Sequence, residues 1–340
     1  MKKIVIVKPG EVQLVEEVYP VCKPGYAILK LLYGGICGSD AGTYAGSFLY
    51  ASYPRVPGHE FSAEVVEVEE PNAYGIKKGM VVTCNPYFNC GTCYSCQRGF
   101  YNCCMHNETL GAQRDGAFCQ YIAMPLERIY DGKGLPAKTL ALIEPFCISY
   151  HAVKRANIQR GDKVLVVGSG TIGYLAAAAA KMLGGCVYVC DVTEEKLKFA
   201  AGLGVEGTIL NSDPVAFRNA IDTITNGQGF DVCLEAVGLP STFMNCIEAA
   251  AFRGRVVVIG VGKKNVDFFH TIIQTKELDI FGSRNAVKSD FIELIDYVKS
   301  GNVDLERIVS AVYPYEDAAN AFEAFKYSGG KMMKVMLKFE

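Results

Sequence analysis

Between residues 164 and 191 a buried strand, a glycine turn, a helix, a second strand and an acid follow in order, and this run narrows the possible folds more than any other stretch. Lys163–Val167 is β-branched and apolar after its first residue, as a central parallel strand covered on both faces should be. It leads straight into Gly168-Ser169-Gly170-Thr171-Ile172-Gly173. In that context G-x-G-x-x-G is a dinucleotide fingerprint. Gly168 permits the tight turn, Gly170 lets backbone approach a pyrophosphate, and Gly173 lets the helix pack on the strand. Phosphate charge then meets the helix N-terminus, at Thr171 and Ile172. The helix is predicted over 172–183, where Ala176 to Ala180 allow close packing against a sheet. Residues 186–190 form the second strand, and Asp191 ends it about 20 residues past the glycines, where a carboxylate accepts hydrogen bonds from a ribose. An acid there repels a 2′-phosphate. Residues 192–199 contain no arginine, although they include Lys196 and Lys198, so NAD is favoured over NADP.

Downstream the alternation continues. Helices are predicted at 194–203, 215–226 and 242–251, and strands at 208–210, 231–235, 255–259 and 278–281, which makes a six-stranded doubly wound α/β sheet. Gly238, Gly260 and Gly262 follow strand ends, where cofactor would lie against backbone. Further helices are expected at 289–299 and 316–327, and a last strand at 334–339 should return to the first domain.

A chain of 340 residues with 50% hydrophobic content suggests two domains with substantial cores. The net charge of -2 gives no electrostatic reason to expect nucleic acid or an anionic membrane as partner. Met1-Lys2-Lys3 and the apolar residues after it imitate an export signal only until Lys8 and Pro9, and no apolar stretch reaches the roughly 18 residues of a membrane span. A soluble, cytoplasmic protein is expected. In that setting 14 cysteines indicate metal ligands and reduced core thiols rather than disulfides.

Residues 1–33 read as β-hairpins of a small barrel, with turn signals at Pro9-Gly10 and Pro24-Gly25 and Cys22 as a buried thiol. The segment from Gly34 to Asp40 then places Cys37, Ser39 and Asp40 on a glycine-rich loop, and Pro54 and Pro57 lead up to His59-Glu60. A thiolate, an imidazole and a carboxylate suit zinc, and a catalytic zinc keeps three protein ligands and one open position. Cys90, Cys93 and Cys96, followed by Cys103 and Cys104, form a lobe in which four thiolates can close around a second, structural zinc. The fourth ligand is Cys104 or Cys103. Residues 111–121 read as a polar loop carrying Arg114, followed by a strand at 118–124. Glu144 stands between an apolar run and Pro145, where burial requires a partner, so it is a second candidate acid for the metal site. Cys147 is a weaker candidate, and His151, on a helix expected to begin near residue 149, reads as a packing or surface residue.

In this order, Gly35-Ile36-Cys37-Gly38-Ser39-Asp40, Gly58-His59-Glu60, the cysteine lobe, Ile143-Glu144-Pro145 and the NAD fingerprint resemble the zinc-dependent medium-chain alcohol dehydrogenases over essentially the whole chain. Glutamate before Pro145 looks like the polyol and sugar-acid branch. Residues 54–60, Asn102-Cys103-Cys104 and Gly282-Ser283-Arg284-Asn285 look most like bacterial L-galactonate 5-dehydrogenases and starvation-sensing zinc dehydrogenases. The resemblance implies a GroES-like β-barrel catalytic domain at 1–147 and 286–340, with the structural zinc lobe at 84–104 and an NAD-binding Rossmann domain inserted at 148–285. It implies Cys37 and His59 on the catalytic zinc with Glu60 or Glu144, Cys104 as the fourth lobe ligand, Asp40 orienting the histidine, and Ser39 taking the alcohol's proton. It also implies a homodimer or homotetramer joined through the cofactor domain. Gly42 stands where many relatives carry a relay histidine, Ala63 and Ala117 where glycines are common, and Gln113 where close relatives have histidine.

The expected chemistry is reversible oxidation of an alcohol by NAD with two zincs per chain. A zinc-stabilised dinucleotide sensor would need only the sheet and the cysteine lobe, so the presence of Cys37, Ser39, His59 and Glu144 favours an enzyme. Arg55, Arg114 and Arg284 fall in segments that border the metal site in relatives and are the candidate substrate residues. A guanidinium fork there would select a sugar acid over a neutral polyol, a sugar-alcohol phosphate or L-threonine.

Overall fold

The computed structural model describes residues 1–339. The chain divides into two compact units, Met1–Glu144 with the segment from Ala286 onward, and Pro145–Asn285.

In the first unit the hairpin Lys2–Lys8 and Glu11–Glu16 precedes a seven-stranded sheet. Across that sheet run Val309–Pro314, Lys334–Lys338, Tyr26–Ile36, Glu60–Val68, Val81–Cys84 and Ile129–Asp131, with Tyr121–Pro125 also pairing with Tyr26–Ile36. Val335, Met336 and Leu337 are fully buried, and that burial anchors the C-terminal strand against Tyr26–Ile36, as the apolar pattern predicts. The strand expected from residue 118 begins at Tyr121. Before it, Phe118 turns into the core beside Leu29, Phe61 and Phe339.

One stretch read as a loop is helical, and one helix starts earlier than expected. Gly38–Ala45 is a helix with Cys37 in extended backbone at its N-cap and Gly46 left-handed at its C-cap. Asp40, in the first turn, accepts the Cys37 N–H at 3.0 Å, which satisfies a donor left over at the helix start and outweighs the glycine-rich composition. The second helix, Ile143–Arg155, starts well before residue 149, so Glu144 lies in its first turn. Pro145 is tolerated there because a first-turn N–H has no partner within the helix.

The second unit is a parallel sheet in the order Gly207–Leu210, Cys186–Asp191, Lys163–Val167, Phe230–Glu235, Ala250–Val258 and Asp279–Gly282, the doubly wound arrangement that the alternation predicts. Thr171–Met182 packs on it through Ala176 to Ala180, all buried. The helix predicted at 242–251 is Pro240–Ala249, with proline in its first turn, and the strand after it starts at Ala250 rather than 255. No helix among the described residues is long and apolar enough to cross a membrane.

Candidate functional site

Three groups of residues carry chemistry. In the lobe, Cys90, Cys93, Cys96 and Cys104 bring their sulfur atoms within 4.8 Å of one another, and Cys103 is exposed outside the group. Backbone N–H groups of Cys90 and His106 each donate to Cys104 Sγ at 3.3 Å, and Cys93 N–H donates to Cys90 Sγ at 3.4 Å. Donors aimed at sulfur favour thiolates, and hydrogen bonds from Thr92 above all draw the Cys90 thiol down to about 6. Four clustered sulfurs fit a closed structural zinc.

The second group gathers Cys37, His59 and Glu60, whose donor atoms also lie within 4.8 Å of one another. Strand register and helix capping place them together. Glu60 opens the strand Glu60–Val68, with His59 just before it, and Cys37 caps the helix beside the paired strand Tyr26–Ile36. His59 is buried, and its Nδ1 has no hydrogen-bond partner. Burial acts to lower the imidazole's pKa, but Cys37 and Asp40 outweigh it and hold the group well above its ordinary value. A buried imidazole grouped with a thiol and a carboxylate fits a divalent cation.

Asp40 has a second part beside the one expected of it. Its Oδ1 lies 3.9 Å from His59 Nδ1, within ion-pair range, and accepts the Gly58 N–H at 3.0 Å while Oδ2 accepts that of Cys37. Asp40 therefore ties together the two backbone segments that present the thiol and the imidazole. Ser39 is half-buried beside it. At Gly42 a Cβ would stand 3.2 Å from that of Phe48.

Glu144 is buried and accepts a hydrogen bond from the Tyr87 hydroxyl. Burial pushes its carboxyl up to about 7, with His59 pulling the other way. Glu60 pairs with Lys334, whose Nζ lies 2.8 Å from Oε1 and 2.5 Å from Oε2. Burial acts to lower the Lys334 ammonium, and Glu60 more than reverses it. Sequence reasoning missed both Tyr87 and Lys334. The one available signal was a lysine inside the apolar run from Met332 to Leu337.

The expected arginine fork is not free to form as the chain stands. Arg55 donates to Asp115 at 3.1 Å and to Ser52 at 2.5 Å, and Arg114 stacks 3.8 Å over the Phe88 ring with Glu108 at 3.6 Å. Arg284 belongs to the second unit.

In that unit Gly168 has φ +96°, and a Cβ on Gly173 would collide with the Gly168 carbonyl oxygen, so the turn and the helix meet at the closest possible approach. Asp191 accepts N–H bonds from Ser169 at 2.7 Å and Thr193 at 3.0 Å, which fixes the carboxylate at the mouth of the turn. Glu235, also missed in sequence, accepts from Val237 N–H at 2.9 Å, Gly238 N–H at 2.8 Å and the Thr242 hydroxyl at 2.7 Å. It pins the loop that carries Gly238, which lies against Val261, while Gly262 stands more open. A narrow glycine turn, a helix N-terminus and a ribose-height carboxylate fit NAD.

Residues 23–133 match the alcohol dehydrogenase GroES-like domain, and residues 171–300 match the zinc-binding dehydrogenase domain. The chain is 31% identical to the L-galactonate-5-dehydrogenase of Escherichia coli K12, over 100% of this chain and 99% of that one. It is 32% identical to the sorbitol dehydrogenase of Halalkalibacterium halodurans, over 99% of each. Among solved structures, the NADH complex of a protein described as a short chain alcohol dehydrogenase from E. coli CFT073 superposes with a TM-score of 0.91 at 29% identity, covering 100% of this chain and 99% of that one. Donor sets, nucleotide turn and full-length similarity agree, and the chain belongs to the zinc-type medium-chain alcohol dehydrogenases, oxidoreductases that use zinc and NAD.

Proposed function

We propose that this enzyme oxidises a secondary hydroxyl of a sugar acid, L-galactonate or a related hexonate, to the ketone. The observation that carries the reading is the trio of half-buried Cys37 with buried His59 and Glu60, and buried Glu144 bonded to Tyr87. Similarity to an L-galactonate-5-dehydrogenase and a sorbitol dehydrogenase supports a polyhydroxylated substrate.

Cys37, His59 and either Glu60 or Glu144 hold the catalytic zinc, and Cys90, Cys93, Cys96 and Cys104 hold the structural one. When bound, zinc acts as a Lewis acid on the substrate oxygen and NAD accepts the hydride. Ser39 receives the hydroxyl proton. Asp40 keeps the Cys37 and Gly58 backbones fixed, so that thiol and imidazole stay in place during turnover. Tyr87 orients Glu144 beside the buried His59 and Glu60. Asp191 binds the adenosine ribose, and Gly168, Gly170, Gly173, Gly238 and Gly262 leave backbone open to the cofactor. A cytoplasmic homodimer or homotetramer completes the reading.

One observation favours a second substrate class. Asp115 and Glu108 already occupy Arg55 and Arg114, so carboxylate recognition through them requires those pairs to open, whereas a neutral hexitol makes no such demand. Initial rates with NAD on L-galactonate, L-gulonate, D-sorbitol, galactitol, galactitol phosphate and L-threonine decide the matter. The hexonates should lead. Faster turnover of a neutral polyol, a phosphate or threonine than of every hexonate rejects the sugar-acid assignment, and an absence of NADH formation with all alcohols returns the chain to a sensor.

A further inference from the structure

The strand Tyr26–Ile36 lies between two others in the sheet. On one side Gly35 is opposite Glu60, and on the other it is opposite Met336, two residues past Lys334. A Cβ on Gly35 would run into Glu60 Oε2 and stand 3.4 Å from Lys334 Cδ. The room left by that missing side chain is filled by the ion pair. Both side chains are almost wholly enclosed, at 3% and 2% exposure, and Nζ also lies 3.4 Å from the Ile36 carbonyl oxygen. The ammonium thus engages both oxygens of an acid that is itself grouped with the Cys37 and His59 donor atoms.

We propose that Lys334 is a positioning residue that competes with the catalytic metal for the Glu60 carboxylate and keeps that bond exchangeable, so that Glu60 can give way to substrate or to Glu144. The inference rests on the reading of Cys37, His59 and Glu60 as metal donors. A carboxylate shared with an ammonium donates less to a cation, and in an enclosed site the lysine's charge is little screened. Without the lysine the enclosed site holds one positive charge fewer beside Glu60 and grips a dication harder. A purely structural ion pair predicts the reverse, because its loss loosens the strands and the metal leaves sooner.

The test is the rate at which folded, zinc-loaded protein gives up its metal to a chromophoric chelator, for the natural chain and for K334M, K334R, E60Q and K334M/E60Q. Release that is lost on His59→Ala identifies the catalytic ion, and the lobe's ion serves as reference in the same trace. In K334M, release of the catalytic ion should slow by about tenfold, the size but not the sign of the usual effect of removing a partner of a metal ligand. Arginine should restore the natural rate, and the lysine change should have no effect once Glu60 is glutamine. If K334M does not fold, K334Q replaces it, since an amide still donates a hydrogen bond but carries no charge. Unchanged or faster release from folded K334M or K334Q overturns the proposal, as does slowing that persists in the E60Q background. Should His59→Ala retain as much metal as the natural chain, the metal assignment itself has failed, which is a different outcome from a failure of the lysine's role.

Discussion

Tyr87 directs its hydroxyl onto Glu144, a residue 57 positions further along the chain, and both are buried. The phenol opens the strand Tyr87–Phe88 and the acid lies in the first turn of the helix Ile143–Arg155, so one hydrogen bond joins the base of the cysteine lobe to that helix start.

Glu144→Gln keeps the shape and removes the charge, and it should lower kcat by about a hundredfold, a typical share for a group that manages protons. Tyr87→Phe should lower it less. Thermal melting of both variants should stay within a few degrees of the natural chain, and steady-state rates beside melting curves check the contrast. Unchanged turnover in Glu144→Gln would leave Glu60 as the acid of the site.

Metal content should be separable by mutation. Cys104→Ser should lose one zinc and much of the thermal stability, because the lobe has little core besides its sulfurs. His59→Ala should lose the other zinc and the activity with little unfolding. Elemental analysis alongside calorimetry measures both, and a single zinc in fully active natural protein contradicts the pair of assignments.

Asp191 should make NAD preferred over NADP, since a 2′-phosphate would meet its carboxylate with like charge. Asp191→Ala should weaken NAD binding and narrow the preference, as read from kcat/KM for the two cofactors. Equal efficiency with both in the natural enzyme rejects the argument.

Gly173→Ala should destabilise the second unit by about 1–3 kcal/mol, the usual range for overpacking, because the new methyl has to displace the Gly168 carbonyl. Cofactor affinity, followed by NADH fluorescence, should fall with it. Gly170→Ala meets nothing within 4 Å and should be milder in stability.

The glycine turn, the cysteine lobe and the Cys37, His59, Glu60 trio were legible because each is short-range or built from rare residue types. What stayed hidden depends on contacts between distant segments. Lys334 meets Glu60 across 274 positions, and no local pattern marks a lysine whose counter-ion lies so far away. Tyr87 and Glu235 look like ordinary strand residues until their hydroxyl and carboxylate find partners. The helix at Gly38–Ala45 was masked by glycines, and it becomes evident once Asp40 is seen capping it. Arginine positions could be read from sequence, but the acids that occupy Arg55 and Arg114 could not.

Because Lys334 comes from the last strand, the catalytic site has an order of assembly. A ribosome delivers Cys37, His59 and Glu60 early, and the inserted unit Pro145–Asn285 is continuous enough to fold next. Until residue 334 emerges, Glu60 has no buried counter-charge and the strand Tyr26–Ile36 lacks one neighbour. A nascent chain therefore presents Cys37, His59 and Glu60 long before the ion pair between Glu60 and Lys334 can form.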